Sequence, residues 1–559
     1  MISQKRSAQY LAATLLKKGV MDIVFSPGSR NAPLINTFTA AAGFRCLNIV
    51  DERSAAFFAM GMAMHLGRPV AVACTSGSAV LNYAPAIVEA YYQKIPLLVL
   101  TADRPAAWID QGDGQTIRQE NVYANFIKAA YNLPGRIETD EEAWFVVRQI
   151  NEACHRLLDP EPGPVQINIP FSEPLYELVE GSLPEIKNIE VHQAAKRPLD
   201  DGIQKCADLW NSCSRIMILA GQLSPNPKLN ATLESLTDNP SLVVLSETLS
   251  NLSGRRFNSC IDNALSAMEK EEPYAPDLLI TLGGQIVSKR IKTFLRKYRP
   301  AAHWHFSLSS EHTDTFMSLT DVFPVDPVSF FASLKPYLTP GKSDYGEKWR
   351  QLDHMTQARQ MVYLEQCPYS DLKAFALILG MLPIDSCLHL SNSTPVRYAQ
   401  LFKYPVSLTC MSNRGTSGID GVVSTAAGFA FTSPKINTVI TGDLAFFYDS
   451  NALWIRHATP NLRIIVINNQ GGGIFRIIDG PSSMPALKSH FEARHAMSAE
   501  PVARAFGLDC FVAQTEEELK QGLTWLYQST FQKPAVLEVK TPADVNAGIL
   551  TQYFHDLKG

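Results

Sequence analysis

Ile436-Asn437-Thr438-Val439-Ile440-Thr441-Gly442-Asp443 and Leu462-Arg463-Ile464-Ile465-Val466-Ile467-Asn468-Asn469-Gln470-Gly471 are two apolar runs, each breaking into a short polar turn. Between them, Tyr448 to His457 reads as a helix with Leu453 and Trp454 on its inner side. Strand, helix and strand imply a parallel pair, because parallel strands need a crossover, and the crossover brings both strand ends to one edge. A carboxylate (Asp443), a side-chain amide (Asn469) and the free carbonyls of a Gly-rich turn then converge. Such hard oxygen donors suit Mg²⁺ bridging a protein carboxylate to a phosphate. The same residues also close strands as plain polar turns. Both readings stand at this point.

Working outward, the first third of the chain repeats the pattern. Apolar runs at Ile23-Val24-Phe25, Cys46 to Val50, Val70 to Cys74, Pro96 to Leu100 and Val165 to Ile169 alternate with helical stretches such as Glu52 to His65 and Ser78 to Tyr92. Alternation of this kind predicts α/β architecture with doubly wound parallel sheets. Polar, Pro-containing sequence from about Leu175 to Pro198 reads as a linker, and Pro340-Gly341-Lys342-Ser343 with the polar helix after it as a second. Three units result: 1–180, 190–340 with strands Ile216–Leu219 and Leu278–Thr281, and 365–559 carrying Asp443 and Asn469.

A chain of 559 residues exceeds what one hydrophobic core organises. Its 46% hydrophobic and 19% charged residues are an ordinary globular balance, and a net charge of −4 gives no reason to expect nucleic acid or an anionic membrane as partner. No apolar run approaches the roughly 18 residues that span a bilayer. Met1-Ile2-Ser3-Gln4-Lys5-Arg6 is followed by no apolar signal region, so a cytoplasmic location is expected. The ten cysteines contain no C-x-x-C and read as reduced thiols. His303 and His305, without nearby Cys or His partners, read as structural residues in preference to metal ligands.

Four strand-to-helix turns gather polar chemistry. Ser26-Pro27-Gly28-Ser29-Arg30 offers N–H groups and a guanidinium to an anion. Asp51-Glu52-Arg53 opens a helix, where a carboxylate commonly does no more than offset the helix dipole. Thr75-Ser76-Gly77 and Thr101-Ala102-Asp103-Arg104-Pro105 complete the set. Loops at the carboxyl ends of parallel strands are where open α/β sheets bind ligands.

The Gly442-Asp443 pair, followed 26 residues later (469 − 443) by the second Asn of Asn468-Asn469, resembles the signature of thiamine-diphosphate decarboxylases and carboligases, with Leu444 standing where that family usually has Gly. The three-unit layout resembles their pyrimidine, central and diphosphate domains. The resemblance implies thiamine diphosphate and Mg²⁺, or Mn²⁺ in its place, with Asp443, Asn469 and the Gly471 carbonyl on the metal. It implies Ser76, Gly77, Ser393, Gly442, Leu444 and Gly472 beside the cofactor. Ile419 would prop its V shape, and Ile474 and Phe475 would wall the site, although ordinary core is an equal reading of those two. Glu52 would bond N1′ of the aminopyrimidine and act as the catalytic carboxylate. The cofactor would lie between the first domain of one subunit and the third of another, which implies self-association as a dimer or tetramer.

Ser-Pro-Gly-Ser-Arg, Asp-Glu-Arg, Thr-Ser-Gly-Ser-Ala, Thr-Ala-Asp-Arg-Pro, Gln115 to Gln119, Ser288-Lys289-Arg290, Ser391 to Ser393 with Arg397, Ser412 to Gly415, Gly418 to Gly421 and Asn469 to Phe475 occur in that order. The set is similar to the menaquinone-pathway branch of the family, transferases that join 2-oxoglutarate to isochorismate with loss of CO₂. Both substrates are dicarboxylates, and carboxylates drawn into a cleft need paired cations. The resemblance puts Ser29, Arg30, Arg104, Gln115, Lys289, Ser393, Arg397 and Arg414 beside them, the cations aimed at one cleft. The matched motifs hold no histidine, which leaves proton transfers to the cofactor and water. Two alternatives stand beside this reading: another thiamine-dependent 2-oxo acid enzyme, and a ligand-binding protein that keeps the fold without the chemistry.

Overall fold

The computed structural model describes residues 1–192, 200–405, 407–477 and 480–559. The end of the expected first linker, 193–199, falls outside them. Three six-stranded sheets, each fully parallel, follow one another along the chain. The first runs Arg45–Asn48, Asp22–Phe25, Val70–Cys74, Leu97–Asp103, Val165–Pro170, Ala129–Asn132 across the sheet. The central one runs Phe257–Asn258, Leu242–Ser246, Ile216–Ala220, Leu278–Leu282, Ala302–Phe306, Asp321–Phe323. The third runs Thr409–Met411, Cys387–Leu390, Asn437–Gly442, Leu462–Asn468, Ala535–Lys540, Asp509–Ala513. Middle strands such as Val70–Cys74 and Leu462–Asn468 are buried along their whole length, as strands covered by helices on both faces must be. The expected linker after Leu175 is partly structured: Leu178–Val179 pairs antiparallel with Ile2–Ser3.

Two helices join the first and third units. Glu52–Leu66 packs on Val422–Thr432, both of them buried for most of their length. An added Cβ at Gly61 would lie 2.0 Å from the Thr425 carbonyl oxygen, and one at Gly428 would lie 1.9 Å from the Phe58 carbonyl oxygen. Glycine at both positions is what lets the backbones touch. Phe57 against Gly421, Gly61 against Thr425 and His65 against Thr432 run in step, so the helices are parallel and begin at the same end of the pair.

Three local expectations are corrected. Ser78 to Tyr92 is two helices, Ser78–Asn82 and Ala84–Gln93, with Pro85 opening the second. Tyr448 to His457 is not one helix. The helix starts on Asp443 and ends at Tyr448, and Ser450–Trp454 is a 3₁₀ turn. Asp449 terminates the helix because its buried carboxylate is turned away to accept the Ser424 N–H and hydroxyl, each at 2.7 Å. Leu453 is buried as expected, but Trp454 is 43% exposed.

His303 and His305 face one way on their strand, and both bond the Thr281 hydroxyl, at 3.0 and 2.9 Å. Among the described residues no three His, Cys, Asp or Glu side chains group as a metal site, and no helix is long and apolar enough to cross a membrane.

Candidate active site

Asp443 sits at the first turn after strand Asn437–Gly442, buried, with its carboxylate aimed across the strand ends. Oδ1 accepts the Leu444 N–H at 2.7 Å and Oδ2 accepts the Gly471 N–H at 2.9 Å. Burial pushes its carboxyl up from the ordinary range against the pull of those two donors. His495, on a loop the sequence motifs did not reach, brings Nε2 to 3.3 Å from Oδ2. Asn469 lies just past the neighbouring strand, and its Nδ2 donates to Asp371 Oδ2 at 2.9 Å. A carboxylate only accepts, so Asp371 fixes which way the amide faces and turns Oδ1 away. Among the described residues that oxygen accepts no hydrogen bond. Asp371 is itself held by the Thr541 hydroxyl at 2.5 Å.

The turn that follows is built for carbonyls. Gly471 has φ +138°, and an added Cβ would lie 2.5 Å from the Glu492 carbonyl oxygen. Gly472 donates its N–H to that same oxygen at 2.6 Å. Ile474 is buried, and the Phe475 ring lies 5.7 Å from that of Phe491. A buried carboxylate, an unsatisfied amide oxygen and a glycine carbonyl at adjacent strand ends form an oxygen donor set that fits a hard divalent cation.

In the first unit, Glu52 opens its helix while Asp51 caps it, accepting the Ser54 N–H at 2.8 Å. Glu52 is half-buried and, among the described residues, makes no hydrogen bond. Its charge is felt by the Cys74 thiol and the Tyr83 phenol, both pushed up mainly by burial, so the carboxylate lies over the end of strand Val70–Cys74. Ser76 is buried with an unpartnered hydroxyl. Gly77, at φ +87°, lies under the Gln115 backbone and donates its N–H to Gln119 Oε1 at 2.9 Å. Ile419 lies on the loop before helix Val422–Thr432 and is 39% exposed. Glu52 and Ile419 therefore stand at the same end of the parallel helix pair. Asp51 and Arg53 extend that junction to Asn451 Nδ2 (2.5 Å) and the Tyr448 carbonyl (2.6 Å).

Within a single chain the cations lie in two groups. Arg30 is 5% exposed, donates to the Phe171 carbonyl at 2.8 Å and approaches Glu173 at 3.4 Å. Arg104 bonds Asp113 at 2.9 Å and the Gly114 carbonyl at 3.0 Å. Burial first, then Arg104, lowers the Arg30 guanidinium, so the two are neighbours. Ser29 and Gln115 are exposed nearby in sequence and fold.

The second group belongs to the third and central units. Arg397 donates to the carbonyl of Ser393 at 2.6 Å, and Ser393 itself holds φ +73°. Arg414 is buried, donates to Asn392 Oδ1 at 2.9 Å and keeps an unpartnered Nε. Burial and then Arg397 lower its guanidinium. Glu89, reaching over from the first unit, fixes the loop beyond Arg414 by accepting the Gly415 N–H at 2.6 Å and the Thr416 N–H at 2.8 Å. Lys289, exposed, lines a cavity of about 580 Å³ with Arg397 and Ile474, walled by Phe294, Leu401 and Leu550. Sequence reasoning passed over Asp371, His495 and Glu89. Only Glu89 carried a signal, as a lone acid on the apolar face of its helix.

Comparison with known proteins gives the family. Residues 5–122 match the family described as thiamine pyrophosphate enzyme, N-terminal TPP binding domain, and residues 393–539 match its C-terminal TPP binding domain. The chain is 42% identical over 553 residues to a 2-succinyl-5-enolpyruvyl-6-hydroxy-3-cyclohexene-1-carboxylate synthase of Flavobacterium johnsoniae, covering 98% of each. It is 43% identical over 578 residues to one from Christiangramia forsetii, covering 99% of this chain and 98% of the other. A third, from Porphyromonas gingivalis, is 38% identical and spans 100% of this chain. With both cofactor-binding domains matched and this likeness running the full length, the chain belongs to the 2-succinyl-5-enolpyruvyl-6-hydroxy-3-cyclohexene-1-carboxylate synthase family of thiamine-diphosphate enzymes.

Proposed function

We propose that this protein is a transferase of menaquinone biosynthesis that decarboxylates 2-oxoglutarate and adds the remaining succinyl unit, in 1,4 fashion, to isochorismate, releasing CO₂ and 2-succinyl-5-enolpyruvyl-6-hydroxy-3-cyclohexene-1-carboxylate. The observation that carries the reading is the full-length likeness to relatives of that one name. Thiamine diphosphate, when bound, supplies the electron sink for loss of CO₂ and for carbon–carbon bond formation.

The chain's own residues do the rest. Asp443, the Asn469 amide oxygen and the Gly471 carbonyl would hold Mg²⁺ or Mn²⁺ against the diphosphate, supported by the donor set and by Asp371 orienting Asn469. Gly442, Leu444, Gly472, Ser76, Gly77 and Ser393 would shape the cofactor bed, with Ile419, Ile474 and Phe475 as its apolar surfaces. Glu52 would hold a proton at pyrimidine N1′, for which its carboxylate is free.

Arg30 and Arg104 on one side, and Arg397, Arg414 and Lys289 on the other, would bind substrate carboxylates. Such buried or crowded cations need an anion to offset their desolvation. Ser29 and Gln115 would add hydrogen bonds. The two cation groups would meet across subunits in a dimer or tetramer, which also supports the exposed Ile419 as an interface residue. A cytoplasmic location is part of the proposal and is supported by ten unpaired cysteines.

Product analysis of the purified protein with thiamine diphosphate, Mg²⁺ and 2-oxoglutarate, with and without isochorismate, tests the reading. CO₂ release coupled to the adduct is expected. Preference for pyruvate over 2-oxoglutarate would establish the generic carboligase instead, and no turnover would establish a silent binding protein.

A further inference from the structure

The loop that carries Arg414 belongs to the third unit, yet its backbone is held by the other two. Glu89, buried on helix Ala84–Gln93 of the first unit, takes the N–H groups just beyond Arg414. Its Oε1 accepts from Gly415 at 2.6 Å, and its Oε2 accepts the Thr416 N–H at 2.8 Å and the Thr416 hydroxyl at 2.6 Å. An added Cβ at Gly415 would lie 2.6 Å from the Glu89 carbonyl oxygen, so loop and helix touch backbone to backbone. Gln93, one helical turn on from Glu89, donates to the Ser412 carbonyl at 3.1 Å.

The carbonyls on either side of Arg414 go to the central unit as well. Gln222 Nε2 donates to the Ser412 carbonyl at 3.0 Å, and Gln285 Nε2 donates to the Gly415 carbonyl at 2.5 Å. Gln222 lies on the turn after strand Ile216–Ala220 and Gln285 on the turn after strand Leu278–Leu282. These are the first and fourth strands of the central unit, neighbours at the point where its strand order reverses. An open parallel sheet takes its ligand there, outside the carboxyl ends of the strands. Here the two turns bond each other, the Gly284 N–H to the Gln222 carbonyl at 2.8 Å, and their side-chain amides grip the chain's own loop. A segment of the third unit stands where a ligand would.

Arg414 is therefore fixed at its backbone from two sides, while its own side chain is tied at one end, to Asn392 Oδ1 at 2.9 Å. Such preorganisation matters for a binding group, because a misplacement of about 1 Å costs on the order of 10²-fold in rate. We infer that Glu89, Gln222 and Gln285 are positioning residues that set Arg414 for a substrate carboxylate, and that the central unit serves the reaction by holding this loop at its strand crevice. The inference rests on the substrate role proposed above for Arg414 and adds what keeps it in place.

Steady-state kinetics on the full-length enzyme with thiamine diphosphate and Mg²⁺ tests it, using Glu89→Gln, Gln222→Met, Gln285→Met, Arg414→Ala and the doubles of the first three with Arg414→Ala. A raised KM in Arg414→Ala identifies the dicarboxylate that this arginine serves. For that same substrate Gln222→Met and Gln285→Met should each raise KM roughly 5-fold and Glu89→Gln roughly 10–100-fold, the worth of neutral and charged hydrogen bonds. KM for the other substrate, and thiamine diphosphate affinity read by calorimetry, should stay near wild type. In the Arg414→Ala background each change should alter KM by no more than about 2-fold, because residues acting through one group do not add. Losses that persist undiminished in that background, losses shared equally by both substrates, or unchanged KM in all three single variants overturn the inference alone. Wild-type KM for both substrates in Arg414→Ala overturns the substrate role of Arg414 and this inference with it. Should Glu89→Gln fail to assemble, Gln285→Met decides, since it removes one donor at an exposed position.

Discussion

The first and third sheets have the same plan and different chemistry. Numbered by their order in each unit, the strands of both run second, first, third, fourth, sixth, fifth, whereas the central sheet runs third, second, first, fourth, fifth, sixth. The crevice between strands one and three is therefore the same place in both outer units. In the first it is edged by Ser26 to Arg30 and by Thr75-Ser76-Gly77, and in the third by Ser391-Asn392-Ser393 and Gly442-Asp443. The helix after strand two is also equivalent, and those two helices are the pair that pack through Gly61 and Gly428. One begins with Glu52 and the other follows Ile419. On the function proposed above, a duplicated scaffold would carry a proton-handling carboxylate at one copy of a position and an apolar prop near the other, which is how function is grafted onto a fold.

The comparison breaks most visibly at Glu52. If the first-unit copy carries the acid–base work, Glu52→Gln should cut turnover by roughly 10²–10⁴-fold, the range for a positioned proton-transfer group. Cofactor affinity, read by calorimetry, should change little, because the amide is isosteric. Near-normal kcat in a correctly assembled variant removes the role. At the helix crossing, Gly428→Val puts a branched side chain where even a Cβ meets the Phe58 carbonyl at 1.9 Å. Destabilisation of about 3 kcal/mol or more by urea unfolding is expected, at the upper end of overpacking costs, because backbone and not a flexible side chain is in the way. A loss under about 0.5 kcal/mol, the scale of a surface substitution, would show that the two helices do not need to touch.

In the third unit, Asp371→Ala should weaken metal-dependent binding of thiamine diphosphate by roughly 10–100-fold, the usual cost of removing a partner that orients a ligand. The variant keeps Asp443 and Asn469, so unchanged affinity would mean that Asn469 needs no help to present its oxygen.

What was legible in the sequence divides along the same line. Alternating apolar runs and helices revealed three parallel sheets, because burial on both faces writes itself into each strand locally. Strand order did not follow, since it depends on which helix crosses which face and leaves no mark on any single segment. Glu52, Asp443 and Asn469 were readable as turn residues at strand ends. Asp371, 98 residues from Asn469 along the chain, looked like any acid in a first helical turn. The exposure of Ile419 was not legible, because nothing local says that a loop leaves an apolar residue open. Tyr448 to His457 was misjudged because the helical pattern there yields to a side chain, Asp449, that bonds a helix elsewhere.

That side chain gives the smallest and sharpest test. Both equivalent helices have a carboxylate on their first turn, but Asp51 is local and half-exposed while Asp449 is remote and fully buried. Burial pushes the Asp449 carboxyl up to about 6, against the pull of the Ser424 N–H and hydroxyl. A carboxyl raised in the folded state binds more protons there than in the unfolded chain between about pH 4 and 6, so its contribution is fully present at acid pH and is lost as pH rises through that window. Asp449→Asn has no proton to lose, and its amide oxygen and NH₂ can still meet the Ser424 N–H and hydroxyl. Relative to wild type the variant should gain stability as pH rises from 4 to 7. The gain should be on the order of 1–2 kcal/mol, since each tenfold change in proton affinity between the folded and unfolded chain is worth at most about 1.4 kcal/mol. A stability difference between Asp449→Asn and wild type that stays flat from pH 4 to 7 would mean that burial does not set the Asp449 carboxyl apart, and the asymmetry between the two copies would then lie only in their tips.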